Sequence, residues 1–261
     1  MKLTVLVDNN TIIDEYYLGE PGLSFYIEDN DTKILFDTGY SDVFLRNADS
    51  LNISLDNLDY LVLSHGHNDH TGGLRYIKDK LQNTTLITHP QLFVKRFHEG
   101  LEVGSPIDKH DLNVLTFINT KDTLKITDRL YYLGQIDRVN SFENRTIGTL
   151  KDNTPDSVID DSALAYKTDE GLFIITGCSH SGICNIIEKA KKELNEERII
   201  GVIGGFHLME DNKQLYDTVQ YFKRNKITNL YPCHCCNLVS KIKMSKVANV
   251  HEVGVGLSLD I

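Results

Sequence analysis

The sequence predicts an α/β protein in which short buried strands alternate with amphipathic helices. Four apolar runs lead through a short turn into a histidine, and they cover residues 60–63, 171–175, 199–203 and 227–231. A helical pattern follows each of the first three runs, which is the rhythm of parallel βαβ units. Because ligands bind beyond the carboxyl ends of parallel strands, we expect these histidines to lie at a binding edge.

Composition narrows the function classes. The chain has 261 residues, of which 41% are apolar and 25% charged, and we expect a single domain over residues 1–261. The net charge of −10 argues against a nucleic-acid or anionic-membrane partner. No apolar run approaches the ~20 residues of a membrane span, and we expect no signal peptide. The five cysteines do not resemble a secreted disulfide framework, so a reducing cytoplasm is expected.

The first part of the chain predicts strands and one helix. Lys2–Val7 and residues 22–28 are β-rich runs, and the Asp-Asn-Asp cluster at 29–31 predicts a hairpin turn into residues 33–36. Residues 41–48 can form a helix. These elements bring the chain to the first apolar run that ends in histidine.

The middle of the chain predicts a helix over residues 71–81 and a strand over Thr85–Thr88, which is followed directly by His89. Short apolar blocks separated by polar turns predict an antiparallel meander over residues 113–117, 124–126 and 129–133. Residues 134–158 form an irregular excursion, and long loops in compact domains are usually functional or mobile.

The later strands are followed by stronger helix signals. Ile183, Ile186, Ile187 and Ala190 form an apolar stripe at helical spacing, which predicts a helix that ends near residue 196. A second helix is expected to end near Phe222. The chain therefore repeats the order of strand, histidine-bearing turn and helix.

The most specific motif follows the first of the four runs. His65 and His67 are two residues apart, so an extended backbone places both side chains on one side, where they can hold one metal ion. Asp69 and His70 follow, and a tightening turn can bring them to a second ion nearby. Imidazole with carboxylate suits zinc, and also iron or manganese. A solvated histidine-rich turn is the alternative interpretation.

This run resembles the His-x-His-x-Asp-His signature of the metallo-β-lactamase superfamily. Within it, the sequence is similar to the dihydropteroate-synthase-like branch, also labelled 7,8-dihydropterin-6-methyl-4-(β-D-ribofuranosyl)aminobenzene-5'-phosphate synthase-like. The resemblance implies a four-layer αββα sandwich of two mixed β-sheets, with a metal site in the crevice between the sheets. It also implies that His180 and His234 are metal ligands.

Two further positions gain a role from the resemblance. An aspartate placed like Asp37 orients a metal-bound histidine from outside the coordination sphere, although Asp37 can instead cap the next helix. Many members of the superfamily carry an aspartate that bridges two metals, and this chain has Cys178 at the matching position. Whether Cys178 is a ligand is therefore left open.

The cluster Cys233, Cys235 and Cys236 invites a second interpretation, a separate thiolate zinc or iron–sulfur site. The spacing of Cys233 and Cys235 is tighter than the usual Cys-x-x-Cys, and Cys178 and Cys184 would have to come from another strand end. We therefore expect these cysteines to pack as small, reduced side chains around the metal site.

The predicted function is a metal-dependent hydrolase that holds two divalent ions, zinc first and manganese or iron as the alternatives. Asp69 would be a ligand and a proton acceptor. His207 is either a further ligand or, as we prefer, an imidazole that faces the substrate. Arg138 and the backbone amides of Ser179 or of Gly204 and Gly205 would stabilise negative charge on the substrate, although Arg138 can equally be a surface residue.

The expected substrate is a small molecule, and the resemblance favours a phosphoester or phosphodiester, including a cyclic one, or a phosphorylated pterin-like compound. A metal-stabilised binding or sensing protein without turnover is the alternative, and the missing bridging aspartate favours it. Redox chemistry with iron at the same ligands is a third hypothesis, because histidine and carboxylate also suit iron. The sequence does not predict an oligomeric state.

Overall fold

A computed structural model describes residues 1–112, 115–143 and 146–261 of the chain. These residues form two compact units. Unit 1 contains Met1–Lys121, Thr146–Asp156 and Val253–Ile261, and unit 2 contains Asp122–Arg145 and Ser157–Glu252. Each unit is built around one large mixed sheet with its own apolar core.

The strands, in chain order, are β1 Lys2–Val7, β2 Ser24–Asp29, β3 Thr32–Phe36, β4 Tyr60–Val62, β5 Thr85–Thr88, β6 Arg96–His98, β7 Leu101–Glu102, β8 Thr116–Asn119, β9 Leu124–Lys125, β10 Leu130–Tyr132, β11 Thr149–Leu150, β12 Ala163–Lys167, β13 Leu172–Thr176, β14 Ile199–Gly205, β15 Asn229–Cys233, β16 Asn249–Val250 and β17 Ser258–Asp260. The α-helices are α1 Val43–Ser50, α2 Asn68–Thr71, α3 Leu74–Ile77, α4 Ile183–Leu194, α5 Lys213–Arg224 and α6 Leu238–Met244. Short 3-10 turns lie at Lys78–Lys80, Lys109–Leu112 and Ser141–Glu143.

The sheet of unit 1 has the order β17-β1-β2-β3-β4-β5-β8. Its first four strands pair antiparallel, and the predicted hairpin turn is confirmed because Asp29 pairs with Thr32. From β3 to β8 the strands are parallel. The carboxyl ends of β3, β4 and β5 therefore share an edge, and Asp37, His65 and His89 each lie just beyond one of them.

The sheet of unit 2 has the order β16-β15-β14-β13-β12-β10-β9. Strands β13, β14 and β15 are adjacent and parallel, so their carboxyl ends form one edge. Helix α4 buries the predicted stripe of Ile183, Ile186, Ile187 and Ala190 in the core of unit 2. Each of its buried Ile side chains contributes about 1.5–3 kcal/mol to folding. This packing fixes the helix that follows the turn at His180.

Two predictions about the elements were wrong. The meander is divided, because β9 and β10 pair antiparallel in unit 2, whereas β8 pairs parallel to β5 in unit 1. The long connection between β5 and β8 permits this parallel crossover, whereas a tight turn would not. Part of the predicted strand, Asn113 and Val114, lies outside the described residues.

The helix predicted over residues 71–81 consists instead of the short helices α2 and α3 and a 3-10 turn. Gly72 and Gly73 lie between α2 and α3, where each packs its backbone against neighbouring carbonyl groups. Among the described residues, no helix has both the length and the apolar character needed to cross a membrane.

Candidate functional site

The residues of the first motif form one group, which we call the histidine cluster and define as His65, His67, Asp69 and His70. The donor atoms of His65, His67 and Asp69 all lie within 4.8 Å of one another. His65 Nε2 lies 3.0 Å from His67 Nδ1, and the rings of His65 and His70 have centroids 4.3 Å apart. The side chain of Asp69 is 29% exposed, while that of His70 is fully buried.

These distances fit a metal ion. Two imidazole nitrogens at ~2.0–2.1 Å from a tetrahedral zinc ion lie roughly 3.3 Å apart, close to the 3.0 Å between His65 Nε2 and His67 Nδ1. The cluster also combines imidazole with carboxylate, which is a donor set for zinc, iron or manganese. The histidine cluster is therefore a candidate metal centre in unit 1.

The turn that carries the cluster is held by backbone contacts that require glycine. A Cβ at Gly72 would lie 2.2 Å from the carbonyl oxygen of Tyr40, and one at Gly73 would lie 2.1 Å from that of Thr38. The Thr38 amide and hydroxyl both donate to the His70 carbonyl, at 2.8 and 2.9 Å. The two glycines thus let the turn pack against the segment that follows β3.

Asp37 is hydrogen-bonded to His70 directly and is connected to His65 through Ser64. Its buried carboxylate accepts hydrogen bonds from the amide of Ser64 at 2.7 Å, the hydroxyl of Ser64 at 2.6 Å and Nδ1 of His70 at 2.7 Å. A carboxylate only accepts, so Nδ1 of His70 carries the proton and its Nε2 lone pair is left for a metal ion. Asp37 thus contacts His70 directly, and its predicted role in orienting a metal-bound histidine stays a prediction.

Ser64 is a residue that the sequence reasoning missed. Its hydroxyl proton goes to Asp37, and its oxygen lies 2.9 Å from Nδ1 of His65, so this nitrogen must donate to Ser64. Nε2 of His65 is thereby left as the nitrogen that can bind a metal. One carboxylate thus sets the tautomers of two histidines, directly for His70 and through Ser64 for His65. The only signal in the sequence was the position of Ser64 immediately before the motif.

A second group lies at the carboxyl edge of β13, β14 and β15 in unit 2. We call it the thiol–imidazole cluster and define it as Cys178, His207 and Cys235, whose donor atoms lie within 4.8 Å of one another. Two predicted ligands adjoin it. The centroid of the His180 ring lies 4.6 Å from that of the His207 ring. His234 packs close to Gly205, since a Cβ at Gly205 would lie only 3.3 Å from Cδ2 of His234.

The pKa of Cys235 is shifted in the opposite direction from the pKa values of Cys184 and Cys236. Burial raises the pKa of Cys235, but hydrogen bonds with Cys178 and His207 and the charge of His234 outweigh burial and hold that pKa well below its usual range. By contrast, burial raises the pKa of Cys184 well above normal and that of Cys236 to about 12. Cys235 is therefore the thiol whose surroundings favour the thiolate among these three.

Four residues beyond strand ends have left-handed backbone conformations. The φ angles are 59° at Asp37, 58° at Ser179, 48° at His207 and 50° at His234. Such conformations are uncommon for residues other than glycine and cost of order 1–3 kcal/mol when the surroundings impose them. The chain also has this conformation in ordinary turns, for example at Asn30 and Glu99, so the four angles describe the shape of these turns and do not by themselves indicate a function.

Gly205 and Arg138, which were predicted to contact the substrate, already make hydrogen bonds within unit 2, and so does the side chain of Ser179, whose backbone amide was the predicted contact. The hydroxyl of Ser179 is buried and donates to the carbonyl of Gly205 at 2.7 Å, and the amide of Gly205 donates to the carbonyl of Gly177 at 2.8 Å. The guanidinium of Arg138 donates to the carbonyl of Ser157. These groups fix the turns, so the predicted contacts of Ser179, Gly205 and Arg138 with the substrate stay predictions.

The structure thus brings the predicted residues together in two sets. His65, His67, Asp69 and His70 meet in unit 1 with Asp37, and His180, His207 and His234 lie near Cys178 in unit 2. The predictions that both sets bind one pair of ions and that His207 faces the substrate stay predictions. Cys235, which was expected to pack around the metal site, has its sulfur 3.5 Å from that of Cys178.

The chain belongs to the metallo-β-lactamase superfamily. The family described as "Metallo-beta-lactamase superfamily" matches residues 18–191. An uncharacterized protein of Methanocaldococcus jannaschii is 34% identical over 99% of this chain and 100% of its own length. The same organism's 7,8-dihydropterin-6-methyl-4-(β-D-ribofuranosyl)-aminobenzene-5'-phosphate synthase is 30% identical over 90% of this chain and 87% of its own length.

Solved structures agree with this assignment. The crystal structure of a metal-dependent hydrolase of the β-lactamase superfamily has a TM-score of 0.85 and 27% identity, and the match covers 100% of this chain and 99% of that one. The metallo-β-lactamase fold protein YhfI from Bacillus subtilis has a TM-score of 0.62 at 12% identity, over 99% of this chain and 98% of that one. The predicted fold class, with two mixed sheets of the metallo-β-lactamase type, is confirmed.

Proposed function

We propose that this protein is a metal-dependent enzyme that hydrolyses an ester-type bond in a small molecule, with a phosphoester or phosphodiester as the first substrate class. The observation that carries the proposal is the histidine cluster, whose donor atoms converge while Asp37 fixes the tautomers behind it. A bound divalent ion supplies Lewis acidity there, which lowers the pKa of a coordinated water and polarises a phosphoryl or carbonyl oxygen.

The residues of the cluster divide the work between them. Nε2 of His65, Nδ1 of His67 and Nε2 of His70 would hold metal, because Ser64 and Asp37 engage Nδ1 of His65 and of His70. Asp69 is the partly exposed carboxylate of the cluster, so it would both bind metal and accept the proton that an attacking water loses. Zinc is the ion we propose first, with two ions per chain.

The substrate class comes from the relatives. The relative of 30% identity is named for a compound that carries a ribofuranosyl 5'-phosphate, and the solved relative of 27% identity is a metal-dependent hydrolase. A phosphorylated small molecule is consistent with both. A reducing compartment such as the cytoplasm is part of the proposal, because the five cysteines, all within the described residues, form no disulfide.

The name of that relative supports a second candidate function, that of a synthase, which transfers a group to an acceptor other than water instead of hydrolysing a bond. The same cluster would then activate an acceptor other than water. Product analysis in isotopically labelled water separates the two, because only hydrolysis places the labelled oxygen in a product.

The proposal is tested with metal-free protein reloaded with zinc, manganese or iron and assayed on bis-(p-nitrophenyl) phosphate, a phosphomonoester, a thioester and a lactam. His67→Asn and Asp69→Asn should abolish turnover and metal retention, whereas the control His98→Asn, at an exposed histidine of β6, should preserve both. Full turnover by the His67 and Asp69 variants would contradict the proposal. A wild type that retains metal but stays inert on every substrate with every ion, while it binds a metabolite tightly, would favour the sensing protein.

A further inference from the structure

The turn that carries His180 connects β13 to α4 within unit 2. It follows Thr176, the last residue of β13, and leads to Ile183, the first residue of α4. The amide of Gly182 donates to the carbonyl of Ser179 at 2.9 Å, which closes the turn around His180. Because His180 lies in the middle of this turn and is buried, the direction of its imidazole depends on what holds the turn in place.

Ser181, the residue after His180, is held by other side chains through its amide, its hydroxyl and its carbonyl. The amide of Ser181 donates to Oδ2 of Asp161 at 2.8 Å, and the hydroxyl donates to the same oxygen. The carbonyl oxygen accepts from Nδ2 of Asn185 at 2.7 Å. The backbone of His180 is also hydrogen-bonded to Asp161. The peptide groups around His180 are therefore fixed mainly by one carboxylate.

The register of the sheet brings Asp161 to this turn. Strands β12 and β13 pair antiparallel, and Ala163 at the start of β12 lies opposite Thr176 at the end of β13. The residues just before β12 and just after β13 therefore leave the sheet side by side. The amide of Asp161 donates to the carbonyl of Val158 at 3.1 Å, so the backbone that carries the carboxylate is itself held by a turn.

The burial of Asp161 makes its contacts with Ser181 hard to exchange for others. Asp161 is 1% exposed, and a carboxylate removed from water requires hydrogen bonds in place of those with the solvent. Ser181 supplies two such bonds. In return, the buried amide and hydroxyl of Ser181 need an acceptor, because an unpaired buried donor is destabilising. Each partner thus keeps the other in a single position.

Glu143 is a second buried carboxylate near the start of α4, and it contacts different groups. It accepts from the amides of Cys184 and Asn185 at 3.0 and 2.9 Å, and these amides belong to the first turn of the helix. Ser181 precedes the helix, so Asp161 acts on the turn and Glu143 on the helix. Glu143 is also 1% exposed, which makes it a matched control for Asp161.

We propose that Asp161 is a positioning residue that keeps the imidazole of His180 in one orientation by fixing the turn at Ser181. The effect on metal binding rests on the proposed function, in which His180 is a predicted ligand. The orientation itself does not, because every contact that produces it lies within unit 2 and involves no metal. Asp161 acts through the turn and is not itself a proposed ligand.

The experiment uses NMR of the His180 ring in metal-free protein, with the signals assigned by comparison with His180→Asn. Asp161→Ala should displace the His180 signals, because the amide and hydroxyl of Ser181 lose their acceptor. Asp161→Asn should restore most of the wild-type signals, since an amide oxygen can still accept both hydrogen bonds. Glu143→Gln should leave the His180 signals in place although it destabilises α4, and urea denaturation of each variant records the loss of stability.

Zinc titration against a chromophoric chelator then measures the effect on metal binding. Asp161→Ala should weaken zinc binding by ~10–100-fold, the range typical of losing a residue that orients a ligand, whereas Glu143→Gln should bind zinc like the wild type. Displaced His180 signals with unchanged zinc affinity would support the positioning by Asp161 and contradict the metal-binding role of His180. Failure of the inference and failure of the proposed function are thereby distinguished.

Ser181→Ala removes only the hydroxyl bond to Asp161 and should displace the His180 signals by a smaller amount. It decides the question if Asp161→Ala does not fold. The inference is overturned if the His180 signals of Asp161→Ala, or of Ser181→Ala in that event, match those of the wild type. It is also overturned if Glu143→Gln displaces the signals as far, because general loosening of α4 would then account for the effect.

Discussion

Replacing Asp37 by asparagine should weaken metal binding without a large distortion of the backbone. Asparagine tolerates the left-handed conformation of this position, where φ is 59°, and it has nearly the shape of aspartate. It cannot accept all three hydrogen bonds, however, because one of its two side-chain atoms is a donor. The perturbation therefore acts on the hydrogen bonds that set the histidine tautomers.

The magnitude follows from the two orientations of the new amide. If its NH₂ group replaces Oδ1, it faces the amide of Ser64, and a buried donor without an acceptor costs about 1–3 kcal/mol. If the NH₂ group replaces Oδ2, His70 must accept at Nδ1 and carry its proton on Nε2, the nitrogen we assign to metal. Removal of such outer-shell partners typically costs ~10–100-fold in metal affinity, or about 1.4–2.7 kcal/mol.

The assay is a competition titration of metal-free protein with zinc and a chromophoric chelator, combined with nitrogen NMR of the His70 tautomer. Asp8→Asn is the matched control, because Asp8 is also a fully buried carboxylate of unit 1 and accepts from the amide and side chain of Asn10. The control variant should bind zinc like the wild type. An Asp37→Asn variant with unchanged zinc affinity and an unchanged His70 tautomer would refute the reasoning.

Three further predictions concern unit 1 and unit 2 separately. Ser64→Ala should weaken zinc binding by ~10–100-fold, whereas Ser64→Thr, which keeps the hydroxyl, should restore it in the same chelator competition. Glu143→Gln should lower the free energy of unfolding by about 1–3 kcal/mol, because the carboxylate of Glu143 accepts hydrogen bonds from amides in the first turn of α4. Urea denaturation measures this change. The control Glu197→Gln, at an exposed carboxylate, should change the free energy of unfolding by less than about 0.5 kcal/mol. Arg96→Met should lower the free energy of unfolding by about 3–5 kcal/mol, because it leaves the buried carboxylate of Asp156 without its ion-pair partner. Adding Asp156→Leu should restore much of the lost stability, as measured by thermal unfolding. A double variant as unstable as the single one would contradict this prediction.

Most of the fold could be predicted from local patterns. The hairpin between β2 and β3, the stripe of α4 and the strands that end in histidine each depend on spacing within a few residues of one another. The position of β8 could not be predicted, because its pairing with β5 crosses a long connection. Apolar periodicity shows that a strand exists but carries no information about its partner in the sheet.

For the candidate site, the local motif could be predicted from the sequence, but the contacts between side chains of different strand ends could not. The grouping of His65 to His70 was expected from residue types, and a place for Asp37 beside it was expected from resemblance; the structure shows the contact of Asp37 with His70. The contacts of Ser64 and Cys235 depend on side-chain directions at the ends of different strands, which the sequence does not encode in any local signal. Conversely, the backbone amide of Gly205 was predicted to contact the substrate, yet it donates to the carbonyl of Gly177.

Because Gly72 and Gly73 pack closely against backbone carbonyl groups, substitution of either glycine should disturb the histidine cluster, although neither residue has a side chain that takes part in it. Neither glycine has a side chain that could bind metal, yet any larger residue at Gly73 would push away Thr38, the immediate neighbour of Asp37. A random screen for inactive variants should therefore recover substitutions at both glycines alongside those at the histidines. Such variants would be mistaken for folding defects unless their metal content was measured.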